Sequence, residues 1–600
     1  MKTHIASILF AVCFFTSCSD FLTETNLTSK STDNFPYTEE EANQLVTGMY
    51  ANLRSSSPET GSYTYIAQLA GDECLGGNLE ASLNVATNFL MYTSLNIYSD
   101  LYSRCYRIIN RTNVAIETLD HVAKWSSKAE RDRCFGEAHF LRAMAFFELA
   151  QVFGGVPLRT TSTNPDKLPR ASVDEVYAQI ASDLKNAIEL MPNRIYPNGS
   201  PMVGHATKYA AQALMARVFL FYTGRYAKTE LPGITKSQVI AWIDDCVNNS
   251  GHALVSDQRN IWPYTNEASN DNPGSYRYHY VLNNHLKWEG LQTIETVFAI
   301  KHSLRGFSNQ LTQFFSPSAD NSRAEDGAGY PFGRGWGQGP ASPAMIEEWK
   351  TWSSQQAYLN GVTEDPRLSG SVWSYRAIDP NDSNHIIFDR RLTQEEPDYT
   401  VSYRYYEQTG YHQKKYINIM SYQNINPSGT PSYAIRSFGL QLFPNVSSST
   451  SQSSTSIADI ILIRFADILL MQSELKEDPT GLNLVRARSN LAPVAYSLQA
   501  IKEERRWELA YEFVRWWDLL RWSGPSLEEA GNALNKQTGF TLINAGIEMP
   551  MVNFNYKARL QATQGYWPIP QTEVDLSDGL IEQNPGWSTE ALFTNWNNFK

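Results

Sequence analysis

The chain has 600 residues, enough for several domains or for one large elaborated one. Hydrophobic residues make up 42%, which is a globular proportion with ample material for a core. A formal net charge of −12 makes it a poor general partner for nucleic acid and for polyanionic glycans. Aromatic residues reach 12%, with 15 Trp and 32 Tyr. Tyr and Trp combine a flat apolar face with a polar edge, which suits amphipathic ligands such as sugars, although most such rings pack in cores.

The chain opens MKTHIASILFAVCFFTSC. Lys2 gives a positive start, and Ile5 to Phe15 is apolar apart from Ser7. This is the layout of a secretory signal peptide, expected over residues 1–17. The run is shorter than the roughly 20 apolar residues that span a bilayer, and no later segment reaches that length. Cys18, in FTSCSDF, ends the signal in a way that resembles a bacterial lipobox. There the cysteine becomes the first residue of the mature protein and carries acyl chains, several of which bind a bilayer stably. Residues 18–37 are polar and aperiodic, as expected of a lipid-anchored tether.

Cys74, Cys105, Cys134 and Cys246 remain, with no Cys-x-x-Cys pair and no metal-ligand spacing. Cys105 and Cys134 fall on consecutive helices turning near Lys124 to Lys128, at depths too different for a bridge. Buried free thiols are expected.

Residues 38–226 read as helical. GEAHFLRAMAFFELAQVFGG places Ala138, Leu141, Ala145, Leu149 and Val152 on one stripe, and Gly154-Gly155 stops it. HATKYAAQALMARVFLFYTG repeats the design, with Ala206, Tyr209, Ala213, Ala216 and Leu220 on a stripe and Gly224 as its end. Small residues at the contact positions resemble those of tetratricopeptide hairpins. Residues 228–456 are rich in Gly, Pro, Ser, Asn and aromatics, and a loop region this long is usually functional. From 457 to 522 helices return. IADIILIRFADILLMQSE is apolar nearly all round and should be a buried helix, followed by IKEERRWELAYEFVRWWDLLRW. Residues 523–600 read as irregular.

Five segments carry a family resemblance. They are the cysteine at 18, GEAHFLRAMAFFELAQVFGGVPL, HATKYAAQALMARVFLFYTG, the pair ILIRFADILLMQSE and IKEERRWELAYEFVRWWDLLRW, and YWPIPQTEVDLSDGLIEQNPGW. In this order they resemble the SusD/RagB family of nutrient-uptake lipoproteins of Bacteroidota. The resemblance implies a mainly α fold, a scaffold of tetratricopeptide-like helical hairpins bearing a large loop-rich insertion and a few short strands. Residues 38–600 would form a single domain of that kind. It further implies a surface-exposed, lipid-anchored place in the outer membrane and no catalysis. Its partner would be a SusC-type TonB-dependent transporter, over which the protein sits as a lid. Its ligand would be an oligosaccharide or, as in some members, a peptide.

A sugar platform needs exposed aromatics flanked by carboxamides, carboxylates or guanidinium groups. The candidates are Asp72, Phe89, Tyr92 and Asn96, with Phe314, Phe315, Tyr330, Phe332, Arg334 and Trp336 in the insertion. Asp72, Tyr92, Asn96, Phe315, Tyr330, Arg334 and Trp336 are the chosen set. Trp336 lies between glycines, which suits a loop tip, and pinning the loop to the body is its alternative role. Glu504, Glu508, Arg515 and Asp518 share one helix face at about 3.6-residue spacing. They could suggest a metal or acid–base site, yet the interleaved Arg505, Arg506 and Arg521 make an ion-pair network sufficient. HQKK, His412 to Lys415, reads as a solvated basic face. No catalytic residue, cofactor motif or metal set stands out.

Overall fold

A computed structural model describes residues 35–53, 63–75, 98–265, 279–302, 315, 339–374, 409, 411–417, 421–424, 433–436, 458–539, 541–544, 547–550 and 556–587. The expected signal peptide, Cys18 and most of the tether lie outside these residues.

Several helices begin where a side chain caps them. α1 (Glu39–Tyr50) opens on Thr38 and Glu41, each bonding the other's backbone N–H. α2 (Tyr63–Ala70) and α3 (Ser99–Thr118) follow. α4 (Lys128–Phe153) is capped by Ser127 and ends at Gly154. α5 (Val173–Leu190), α6 (Lys208–Arg225) and α7 (Lys236–Asn249) start on Ser172, Thr207 and Thr235. Replacing such a cap by Ala costs about 1 kcal/mol.

Sequential helices pack on one another from α3 to α7. α4 lies between α3 and α5, so it buries side chains around most of its circumference. The stripe from Ala138 to Val152 is fully buried, as the spacing predicts. Gly224 does not close α6, which runs on to Arg225. A Cβ there would sit 2.6 Å from the backbone oxygen of Arg521, so the glycine serves close helix contact instead. The mainly helical scaffold is thus the one expected.

The second half adds α8 (Pro343–Ser354), α9 (Phe465–Lys476), α10 (Pro479–Arg488), α11 (Leu498–Glu508) and α12 (Arg515–Ser523). Among the described residues four antiparallel strand pairs join them. They are β1 (Thr296–Ile300) with β6 (Ile460–Arg464), β2 (Val372–Ser374) with β3 (Tyr411–Gln413), β4 (Ser421–Asn424) with β5 (Tyr433–Arg436), and β7 (Thr541–Asn544) with β8 (Ile547–Pro550).

Four expectations change. The apolar segment from Ile457 is not one helix, because its Ile-rich start pairs with β1 as β6 and the helix begins at Phe465. The segment from Ile501 is two helices, broken where Tyr511 and Phe513 take left-handed φ of 61° and 65°. Glu504 and Glu508 therefore lie on α11, and Arg515 and Asp518 on α12. The loop-rich middle also holds α7 and α8, and short helices at Glu528–Asn535, Tyr556–Ala562 and Gln571–Leu576 punctuate the C-terminal part.

Buried ion pairs bind these pieces together. Arg464, at the end of β6, meets Glu295 at 2.7 Å, Glu508 at 2.7 Å and Glu512 at 2.6 Å. Glu508 also holds Arg488, and Arg367 at 3.0 Å. Arg367 reaches Glu504 and Asp365, and Glu504 reaches Arg486 at 3.2 Å. Burial opposes ionisation of Glu508, yet Arg488, Arg464 and Arg367 hold its carboxyl well below the usual range. At Glu504 burial prevails over Arg367 and Arg486 and raises the carboxyl. The network reading of these carboxylates is the one the structure supports.

Arg464→Met leaves three carboxylates short of a partner and should cost about 3–5 kcal/mol, read as a lower denaturant midpoint. A loss under about 1 kcal/mol would show that the network is dispensable. Cys74, Cys105, Cys134 and Cys246 are all free and buried. Burial pushes the Cys134 and Cys246 thiols up to about 12. A thiol reagent at neutral pH should therefore label these four only after denaturation, and rapid native labelling would contradict their inertness.

Candidate functional site

The candidate site grows from the short segment that follows α2. Asp72 is 4% exposed, and its two carboxylate oxygens receive the guanidinium groups of Arg506, at 2.6 Å, and Arg515, at 2.8 Å. Because those arginines sit on α11 and α12, Asp72 ties residues 71–75 to the helical scaffold. The side chain expected at a ligand rim is instead interior, where it pairs with two arginines.

Beside it, Glu73 accepts a hydrogen bond from the backbone N–H of Tyr511 at 3.2 Å and another from Gln68 Nε2 at 3.2 Å. Burial first, and then the charge of Asp72, push the Glu73 carboxyl up to about 8. It is therefore largely protonated at neutral pH.

Backbone pairing then joins three segments. Leu75 N–H donates to Pro340 O at 2.9 Å, and Ser342 N–H donates to Glu73 O at 2.8 Å. Ala341 N–H donates to Tyr411 O at 3.0 Å, which brings in β3. Phe315 is fully buried against Gly339. A Cβ on Gly339, whose φ is +60°, would lie 2.9 Å from the Phe315 ring. Only glycine fits there without a shift. The Phe315 ring packs inside this junction and is not exposed on a platform.

His412, Gln413, Lys414 and Lys415 form the floor and are all 0% exposed, so the solvated basic face expected of HQKK is overturned. Aromatic rings and carboxylates take the place of water. Lys414 Nζ stands 3.4 Å from the Tyr280 ring centroid, and Lys415 meets Glu512 at 2.6 Å and the Trp262 ring at 5.0 Å. Burial lowers the Lys414 ammonium far below its ordinary range and takes the His412 imidazole down to about 3. Neither amide atom of Gln413 has a hydrogen-bond partner among the described residues.

Of the chosen residues, Asp72 and Phe315 are described and meet at this junction. Tyr92, Asn96, Tyr330, Arg334 and Trp336 lie outside the described residues. The structure does bring together the described residues that bound their segments, through the bond from Leu75 N–H to Pro340 O. Sequence reasoning missed Glu73, whose role depends on Tyr511, distant in the chain. Among the described residues no group of three or more His, Cys, Asp or Glu could hold a metal ion, and no helix is long and apolar enough to cross a membrane.

Comparisons with known proteins agree along the chain. A family described as "Starch-binding associating with outer membrane" matches residues 20–220, and one described as "SusD family" matches residues 295–587. A SusD-like protein of Formosa agariphila is 22% identical and covers 98% of this chain and 100% of its own length. Among solved structures, a laminarin-binding SusD-like protein has a TM-score of 0.62 at 21% identity, over 92% of this chain and 100% of its own. Surface glycan-binding protein A of Bacteroides thetaiotaomicron, in complex with laminarihexaose, has a TM-score of 0.62 at 18% identity, over 91% and 99%.

Glu73 carries a pH signature. Its folded value of about 8 lies above the ordinary 4.5, so the folded chain binds more protons in that window. Stability is therefore lost as pH rises through it, by at most about 1.4 kcal/mol per pH unit. Glu73→Gln stays neutral throughout. The wild-type melting temperature should fall relative to that variant between about pH 5 and pH 8. Parallel profiles would mean that Glu73 is already ionised at neutral pH.

Proposed function

This chain belongs to the SusD/RagB family, and from that premise we propose that it captures oligosaccharide at the outer membrane and delivers it to a SusC-type TonB-dependent transporter. The observation that carries this reading is the junction at Leu75 and Gly339. There Leu75, which precedes Tyr92 in the chain, bonds Pro340, which follows Trp336, on a base held by Asp72, Arg506 and Arg515. A platform for pyranose faces needs two such segments held in a fixed relation, so that stacking costs little ordering entropy.

In this proposal Tyr92, Tyr330 and Trp336 stack on the sugar, while Asn96 and Arg334 bond its hydroxyls. Asp72 and Phe315 act from beneath, by holding the roots. Cys18 carries the lipid that keeps the protein on the cell surface, and residues up to 37 are the tether that lets it move as a lid. No bond is broken in the ligand. Fold neighbours that bind laminarin and laminarihexaose support a glycan as that ligand.

Isothermal titration of the full chain, in a detergent without a sugar headgroup, tests the proposal against a panel of neutral oligosaccharides and peptides. Saturable binding of one glycan, weakened about tenfold by Trp336→Ala and leaving the glycan intact, is the expected result. Response to peptides alone would assign a peptide-binding lid instead, and cleavage products would make the protein a hydrolase.

A further inference from the structure

Glu73 enters the junction twice, through its main chain and through its side chain. Its carbonyl accepts the N–H of Ser342 at 2.8 Å, and Leu75 N–H, two residues on, donates to Pro340 O at 2.9 Å. Its buried carboxyl is bonded only by the backbone N–H of Tyr511 and by Gln68 Nε2, each at 3.2 Å, among the described residues. Both donors are neutral. Asp72, one residue earlier, is bonded by two guanidinium groups.

Two cations face Glu73, and both are committed elsewhere. Arg506 of α11 bonds Asp72 at 2.6 Å and Glu348 at 2.9 Å, and Lys415 of the 411–417 segment bonds Glu512 at 2.6 Å. The other titratable neighbours are Asp72, Cys74 and Tyr511. Burial raises the Cys74 thiol and the Tyr511 phenol well above their ordinary values, so neither carries a charge near neutral pH. An ionised Glu73 therefore sits in the interior beside the charge of Asp72, with no cation bonded to it. Separating residues 73–75 from 340–342 admits water to that carboxylate and relieves the cost. A protonated Glu73 has no such cost to relieve.

We propose that Glu73 is a positioning residue for ligand capture, its proton latching residues 73–75 against 340–342 so that the grip on the glycan weakens as the proton leaves. The latch rests on the capture function proposed above, since Leu75 precedes Tyr92 in the chain and Pro340 follows Trp336. Glycan binds the latched form, and its apparent affinity scales with the population of that form. The folded carboxyl, at about 8, lies above its ordinary 4.5, so the latch is fully held below about pH 5 and is lost as pH rises to about 8.

Hydrogen exchange of the full chain, followed by mass spectrometry at the amides of Leu75 and Ser342, reads the latch without any ligand. Wild type and Glu73→Gln should be protected alike at about pH 5, and by about pH 8 the wild type should exchange about tenfold faster than the variant. If Glu73→Gln does not fold, wild-type exchange corrected for the intrinsic rate at each pH carries the same information. Neutral gluco- and manno-hexasaccharides are then titrated at both pH values. The one that binds should show a wild-type Kd about fivefold weaker at the higher pH, and a level profile in Glu73→Gln. Parallel exchange in the two proteins, or one pH profile of Kd shared by both, would overturn the latch. Silence of every hexasaccharide beside a clear exchange difference would instead overturn glycan capture and support the proton's hold on the junction.

Discussion

The rest of the structure depends on the buried pairing of carboxylates with guanidinium groups around Arg464 and Glu508. Arg464 ends β6, Glu508 ends α11, Arg488 ends α10, and Glu295 precedes β1. One cluster of charges thus fixes two strands and two helices at once. Taking each ion out of water costs several kcal/mol, and the attraction returns a similar amount only if every partner is present. Such a network adds little net stability and strongly penalises any other arrangement. It selects one geometry for segments that are otherwise short and loosely patterned.

The same chemistry extends to the candidate site. Arg505 links Asp467 to Asp518, and Arg506 and Arg515 continue the chain of charges to Asp72. From Asp72 the constraint passes into backbone pairing at Glu73, Leu75, Pro340 and Ser342. The surface that would meet a ligand is therefore built outward from an electrostatic centre.

Local signals in the sequence determined the helical scaffold, the burial of the stripe from Ala138 to Val152, the inert thiols and the family, because each depends on spacing within a few turns of chain. Capping residues such as Ser127 and Thr207 belong to the same class, since a cap acts on a neighbour three residues away. Tertiary structure alone decided what distant partners do. Asp72 meets Arg506 across 434 positions, and nothing in either neighbourhood announces the other. HQKK looks solvated by composition but is fully buried, because Trp262, Tyr280, Glu508 and Glu512 replace water around it. The break between α11 and α12 likewise arises from residues at positive φ, where local helix propensity loses to the packing of Tyr511 and Phe513. The physical reason is range. Hydrogen bonds and periodic burial along a helix are set by near neighbours, whereas the solvation of a charge is set by whatever the completed fold brings within a few ångströms.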